Sequence, residues 1–173
     1  MKHPCESEQI TIANGVTSAI AMMMYAICNN GEKVLLPAPY YSALPNDFNT
    51  LFGAIPCIVD GQISKHTLET AYRANPSTKA LFLTNPSNPL GDILSSEKLD
   101  EIVQWCVSRD IHLISDEIYA LGSWNGNFLS AAKYMDDYPE HVHILYGMSK
   151  DLAIAGFRCG CIYSRNRNLI NES

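Results

Sequence analysis

Lys150 lies in the run Tyr146-Gly147-Met148-Ser149-Lys150-Asp151, just past an apolar stretch, Val142 to Tyr146, that has the make-up of a buried strand. Lysine forms imines with carbonyl compounds, and its amine turns nucleophilic when the ammonium is desolvated or stands near another cation. Eight residues further on, Arg158 offers such a cation, and its planar fork can grip a phosphate through paired hydrogen bonds. Ser115-Asp116-Glu117-Ile118-Tyr119 ends a second apolar stretch with a carboxylate and a phenol three residues apart. One helical turn would bring both to the same side. A carboxylate there can pair with a protonated ring nitrogen and keep it protonated, although an Asp capping a following helix has the same pattern. Asn14-Gly15-Val16-Thr17-Ser18 lies between strand-like and helix-like stretches. Free N–H groups and the helix dipole favour an anion at such a junction, and Thr17 adds a hydroxyl; a plain glycine turn reads equally well. Thr84 to Gly91 contains two Asn-Pro dipeptides and a glycine, a rigid turn able to fix an amide side chain at a sheet edge.

These runs need a frame. Strands are predicted at Ile10–Ala13, Lys33–Leu36, Ile55–Val59, Lys79–Leu83, Ile111–Ser115, Val142–Tyr146 and Gly160–Tyr163. Between them, Val16, Ile20, Met23, Met24 and Ile27 fall on one helical face, ended by Asn29-Asn30-Gly31. Further helices are expected over Tyr40–Phe52, where Pro45 is tolerable only near the first turn or at a kink, over His66–Arg73, and over Leu129–Met135. Ser95 or Ser96 caps another through Ser108, whose apolar face is Leu99, Ile102, Val103 and Cys106. The alternation gives an α/β fold: a seven-stranded, mainly parallel sheet with helices on both faces. The last strand should run antiparallel, because only a short turn precedes it. Gly15, Asn88, Asp116 and Lys150 each follow a strand end, so they should meet at one sheet edge.

Composition narrows the function classes. A formal charge of −6 and a pI near 5.2, with scattered lysines and arginines, argue against a nucleic-acid surface. No apolar run reaches the ~20 residues of a membrane span, and the start lacks the apolar core of a signal peptide. The six cysteines are dispersed without a Cys-x-x-Cys pair, so free thiols in a reducing cytoplasm are expected and no metal site. Neither a Gly-x-Gly-x-x-Gly fingerprint nor a Gly-Lys-Ser/Thr loop is present, which sets aside an ordinary nucleotide-binding domain. The histidines lack a Ser or Cys partner suggestive of a triad.

Taken together, Pro37-Ala38-Pro39-Tyr40-Tyr41, Asn85 to Gly91, Ser115 to Tyr119 and Ser149-Lys150-Asp151 resemble the fold-type I pyridoxal-phosphate enzymes of the class I/II aminotransferase family. The nearest likeness is to its 1-aminocyclopropane-1-carboxylate synthase-like branch. The resemblance runs from about Ile10 to Tyr163. It implies pyridoxal 5'-phosphate as cofactor, an amino-acid substrate and a homodimer in the full-length form. It implies an internal aldimine on Lys150, which also serves as the base for the substrate's α-proton. Asp116 would pair with the pyridine nitrogen, Tyr119 and Asn88 would hydrogen-bond the ring's 3'-oxygen, and Tyr41 would stack on the ring. Val16 and Thr17 would cradle the phosphate and Arg158 would clamp it, with Ser149 among the cofactor-binding residues.

Two departures stand out. The position three before the lysine is commonly a phosphate-binding serine in the family, and here it is Gly147. The lost hydroxyl is worth about 0.5–1.5 kcal/mol, more toward a charged group. Family members are also longer. Residues 1–173 read as a single cofactor-binding large domain, without the N-terminal segment and C-terminal small domain that supply substrate contacts. Arg165 and Arg167 come too early to be the family's carboxylate-binding arginine, and a solvated chain end is the expectation for both. Two readings stay open: part of an amino-acid-processing enzyme, or a truncated, inactive isoform or fragment that binds cofactor or a full-length partner without turnover.

Overall fold

A computed structural model describes residues 4–49, 53–123 and 127–172. Its centre is one seven-stranded sheet: β1 (Ile10–Asn14), β2 (Lys33–Pro37), β3 (Ile55–Val59), β4 (Thr78–Thr84), β5 (His112–Asp116), β6 (Val142–Gly147) and β7 (Cys159–Ser164). The spatial order is β1-β7-β6-β5-β4-β2-β3. Neighbours from β6 through β3 pair in parallel, whereas β7 is antiparallel to both β6 and β1. β1 therefore runs with the parallel set, and its C-terminal end reaches the same edge as those of β4, β5 and β6.

The central strands are apolar on both faces, as a sheet covered on two sides requires. The period-2 alternation assigns neighbours to opposite layers. Val34, Leu36, Phe82, Ile114, Leu145 and Ile162 pack under α1 (Gly15–Ile27) and α2 (Leu44–Asn49). Leu35, Leu81, Leu83, Leu113 and Ile144 pack under α3 (Lys65–Ala74) and α4 (Ser96–Ser108). Each such side chain, fully buried, contributes about 1.5–3 kcal/mol. Met23 and Met24 are fully buried core, as their helical spacing predicts. Ser95 caps α4 by accepting from Lys98 N at 3.2 Å, and Ser64 caps α3 by accepting from Thr67 N. Glu69 ties α3 to α4, accepting from the Trp105 indole at 3.1 Å and from Arg109.

The expected strands all appear, most of them extended by a residue or shifted slightly. The helix expected over Tyr40–Phe52 starts at Leu44, after a non-helical Tyr40-Tyr41, and is described through Asn49; residues 50–52 lie outside the described set. Leu129–Met135 condenses to one 3-10 turn, Ala131–Tyr134. A turn at Ser7–Gln9 and a last helix, Arg167–Glu172, are additions, too short to carry a readable period.

Two readings need correction. Arg165 is no solvated chain end: its side chain is 11% exposed and pairs with the Asp136 carboxylate, itself 2% exposed. Arg167 is exposed, as expected. His143 does have a serine partner, since its Nδ1 lies 2.8 Å from Ser164 Oγ. Both residues are fully buried, and His143 Nε2 faces His112 Nδ1 at 2.9 Å. The serine is thus a packing partner rather than a reachable nucleophile. No described helix is long and apolar enough to cross a membrane, and no described His, Cys, Asp and Glu side chains group as metal ligands.

Candidate active site

The β1–α1 turn passes through Gly15, whose φ of +79° only glycine adopts without strain. A Cβ there would stand 2.3 Å from Nη2 of Arg158, so the guanidinium lies directly against the glycine at the start of α1. Gly160 of β7 presses on the same turn, where a Cβ would meet the Gly15 carbonyl carbon at 2.5 Å. Gly147, at the end of β6, faces Val16. Glycines on β6 and β7 thus let two strands close against the helix start, and Arg158 completes the rim. Arg158 is exposed, adopts a left-handed backbone with φ of 51°, and donates from Nη1 to Ala155 O at 3.2 Å. The first N–H groups of α1, a helix dipole and a forked cation face one point, the electrostatics an anion needs.

β6 leads into α5 (Met148–Asp151), a single turn that carries Ser149 half-buried and Lys150 exposed. The next side chain, Asp151, reaches back: its Oδ2 accepts from Leu121 N at 2.9 Å and from the Tyr146 hydroxyl at 3.2 Å. Sequence reasoning gave Asp151 no role. Its strongest partner is a backbone N–H thirty residues away, and no side-chain pattern points to it.

Asp116 is the last residue of β5, in register with Thr84 of β4 and Leu145 of β6. It is 7% exposed, and its Oδ1 accepts from Ile118 N at 3.3 Å. Burial pushes its carboxyl up to about 7, the Ile118 N–H works against the rise, and the Glu117 carboxylate adds to it. No described cation pairs with it, so the site is built to gain from one. Glu117 works differently, accepting from Ser115 Oγ at 3.0 Å and from Ala131 N at 2.8 Å to anchor the Ala131–Tyr134 turn.

Tyr119 follows one turn after Asp116, and its hydroxyl accepts from Asn88 Nδ2 at 3.0 Å. The β4 loop is braced by Ser87 N donating to Asp92 O at 2.8 Å and by Leu94 N donating to Asn85 Oδ1 at 3.1 Å. Phenol and amide are therefore one hydrogen-bonded pair. Tyr41 lies beyond β2 with half of its surface exposed, and Thr17 is exposed on the first turn of α1. Neither side chain, nor that of Ser149, hydrogen-bonds to the other candidate residues. A cavity of about 940 Å³ opens beside the site, walled by Pro39, Tyr40, Ile63, Leu83 and Asn85. It shares only Asn88 with the candidate residues. A smaller one, about 320 Å³, adjoins Asn88 and Tyr119.

The model of the aminotransferase class I and II family matches residues 1–172. The 1-aminocyclopropane-1-carboxylate synthase of Nicotiana tabacum is 35% identical, over 96% of this chain and 37% of its own length. 1-Aminocyclopropane-1-carboxylate synthase 7 of Arabidopsis thaliana is 34% identical, over 97% of this chain and 41% of its own. The chain thus spans well under half the length of these relatives. Among solved structures, a Thermus thermophilus aspartate aminotransferase mutant superposes with a TM-score of 0.86 at 26% identity, covering 95% of this chain and 45% of that one. The aromatic aminotransferase from Pyrococcus horikoshii OT3 gives 0.85 at 26% identity, covering 95% and 44%.

Proposed function

The chain belongs to the class I and II aminotransferase family, whose members depend on pyridoxal 5'-phosphate, and we propose that it forms the cofactor-binding domain of an enzyme acting on amino acids. When bound, the cofactor supplies an aldehyde that condenses with an amine, with loss of water, and a ring that withdraws electrons. The observation that carries the reading is the seat of Arg158 against Gly15 at the start of α1, at the same sheet edge as Asp116. The donor set fits both ends of that molecule. Arg158 and the first N–H groups of α1, around Val16 and Thr17, take the phosphate. The buried Asp116 carboxylate takes the ring N–H and keeps it protonated, a pairing that relieves its own desolvation. Asn88 and Tyr119 present an amide and a phenol to the ring oxygen, and Tyr41 offers an aromatic face.

Lys150 Nζ would be the amine that holds the cofactor and, when free, the base for a proton on the adjacent substrate carbon. Transamination and the elimination suggested by the synthase relatives both begin with that proton, so these residues serve either. For the whole protein we propose an amino-acid substrate, a homodimer and a cytoplasmic setting, in keeping with the family.

A second reading concerns turnover by the 173 residues alone. Arg73 and Arg109 pair with Glu69, and Arg165 pairs with Asp136. Arg167 follows the end of β7 that lies beside His143, opposite the Lys150 edge. Among the described residues, that leaves Arg158 as the arginine placed to meet an anion at the site. With it on the phosphate, no described arginine holds a substrate carboxylate. Positioning contributes about 7–11 kcal/mol to such catalysis, so cofactor binding without turnover at family rates is expected.

The test is reductive trapping. Chain mixed with pyridoxal 5'-phosphate and reduced with borohydride should carry the label on the Lys150 peptide, and Lys150→Ala should abolish it. Label spread evenly over surface lysines would count against the assignment.

A further inference from the structure

We propose that Asp151 is a positioning residue for Lys150, tying the turn that carries the lysine to the turn that carries Tyr119; this rests on the cofactor reading above. α5 is four residues long, too short to be stable as a helix by itself. The residues after it offer little apolar anchorage: Leu152 is 50% exposed and Phe157 79%. Met148, at the other end of the turn, is itself 38% exposed.

The ties that remain are directional. Asp151 Oδ2 accepts from Leu121 N, two residues past Tyr119, and from the hydroxyl of Tyr146 on β6. A Cβ on Gly122 would lie 3.8 Å from Asp151 Oδ1, so both carboxylate oxygens face the Ala120–Gly122 turn. A single carboxylate therefore joins three pieces: the end of β6, the Lys150 turn and the segment running from Asp116 through Tyr119. Because Tyr119 is held in turn by Asn88, the chain of contacts extends to the β4 loop. Without Asp151, the lysine would swing on a frayed turn while its partners stayed fixed.

The experiment compares wild type with Asp151→Ala, Asp151→Asn and Tyr146→Phe. Three quantities are read: the dissociation constant for pyridoxal 5'-phosphate, the fraction of borohydride label on Lys150, and hydrogen exchange in residues 148–152 and 120–122. Asp151→Ala should weaken binding by about tenfold or more, the worth of a hydrogen bond to a charged acceptor. It should also speed exchange in both segments together, with the melting temperature little changed. Asp151→Asn keeps an oxygen for Leu121 N and should recover most of the loss. Tyr146→Phe removes one donor, should fall between, and carries the test if Asp151→Ala does not fold. Wild-type labelling in Asp151→Ala or Tyr146→Phe would overturn the proposal, as would an Asp151→Asn variant no better than alanine. Failure of the wild type itself to label at Lys150 would instead bring down the cofactor reading, and this inference with it.

Discussion

A Cβ built on Gly147 would stand 2.7 Å from Cγ2 of Val16, closer than real contacts allow. Its own conformation is not the obstacle, because Gly147 has a φ of −163°, open to any residue, although the Cys159 carbonyl oxygen would also stand close, at 3.2 Å. A serine at this position, as the family resemblance would lead one to expect, meets the Val16 methyl group first and the Cys159 carbonyl next. Val16 and Gly147 are thus one steric choice made at two places. Gly147→Ser alone should cost about 1–3 kcal/mol through overpacking. Val16→Ala with Gly147→Ser should be more stable than the sum of the single changes, with a coupling of about 0.5–3 kcal/mol. The double variant should also bind pyridoxal 5'-phosphate more tightly than Val16→Ala does. Urea melts and cofactor titration check both, and strict additivity would sink the idea.

Asp116 gives a second prediction, with its sign fixed by the raised carboxyl. Its ordinary value is 3.8 and its folded value about 7. Folding therefore takes up a proton between those values, and this group's contribution is fully present at low pH and lost as pH rises through 7. Asp116→Asn keeps an oxygen for Ile118 N and removes the penalty. In the cofactor-free chain it should add about 2–4 kcal/mol at pH 8 and close to nothing at pH 4. Saturating cofactor should shrink the gain at pH 8, since a ring cation then offsets the charge. Denaturant midpoints at the two pH values, with and without cofactor, decide it.

The placement of much of the candidate site was legible because its residues sit immediately after apolar runs. Asp116 and Lys150 needed only a strand reading, and the doubled Asn-Pro turn marked Asn88. The relationships that hold the candidate residues in place are between residues distant in the chain. Asp151 with Leu121, Val16 with Gly147, and Gly160 with Gly15 leave no periodic trace, since each depends on how strands stack rather than on what they contain. Arg165 was misread for the same reason: a charge near the end of the chain looks solvated until β7 brings it to Asp136.

The histidines at the opposite sheet edge titrate in the other sense. Desolvation holds His143 down to about 3 and His112 to about 4, with the neighbouring His141 adding to both and Asp110 opposing at His112. Their ordinary value is 6.5. The unfolded chain therefore binds more protons below 6.5, and their contribution is present above that pH and lost as it falls toward 4. His143→Gln should be destabilising at pH 7.5, where it breaks the contacts to His112 and Ser164. The penalty should shrink steadily from pH 6.5 to pH 4. A penalty independent of pH would show that the pair is not buried neutral.

Gly15 and Arg158 supply the last prediction. Alanine at 15 would need φ of +79° and would push the guanidinium away, because its Cβ would fall 2.8 Å from Cζ and 2.3 Å from Nη2. Arg158→Ala removes the same group directly. Each change should weaken pyridoxal 5'-phosphate binding by about 10- to 100-fold, the range of a charged, paired hydrogen bond. Pyridoxal without the phosphate should be affected far less. If both lesions act through one displaced cation, Gly15→Ala combined with Arg158→Ala should bind little worse than either alone. Arg158→Lys should recover only part of the loss, since an ammonium cannot reproduce the fork. Losses that multiply in the double variant would mean that Gly15 acts on the helix start independently of Arg158. Equal losses for pyridoxal would mean that the anion is not held here.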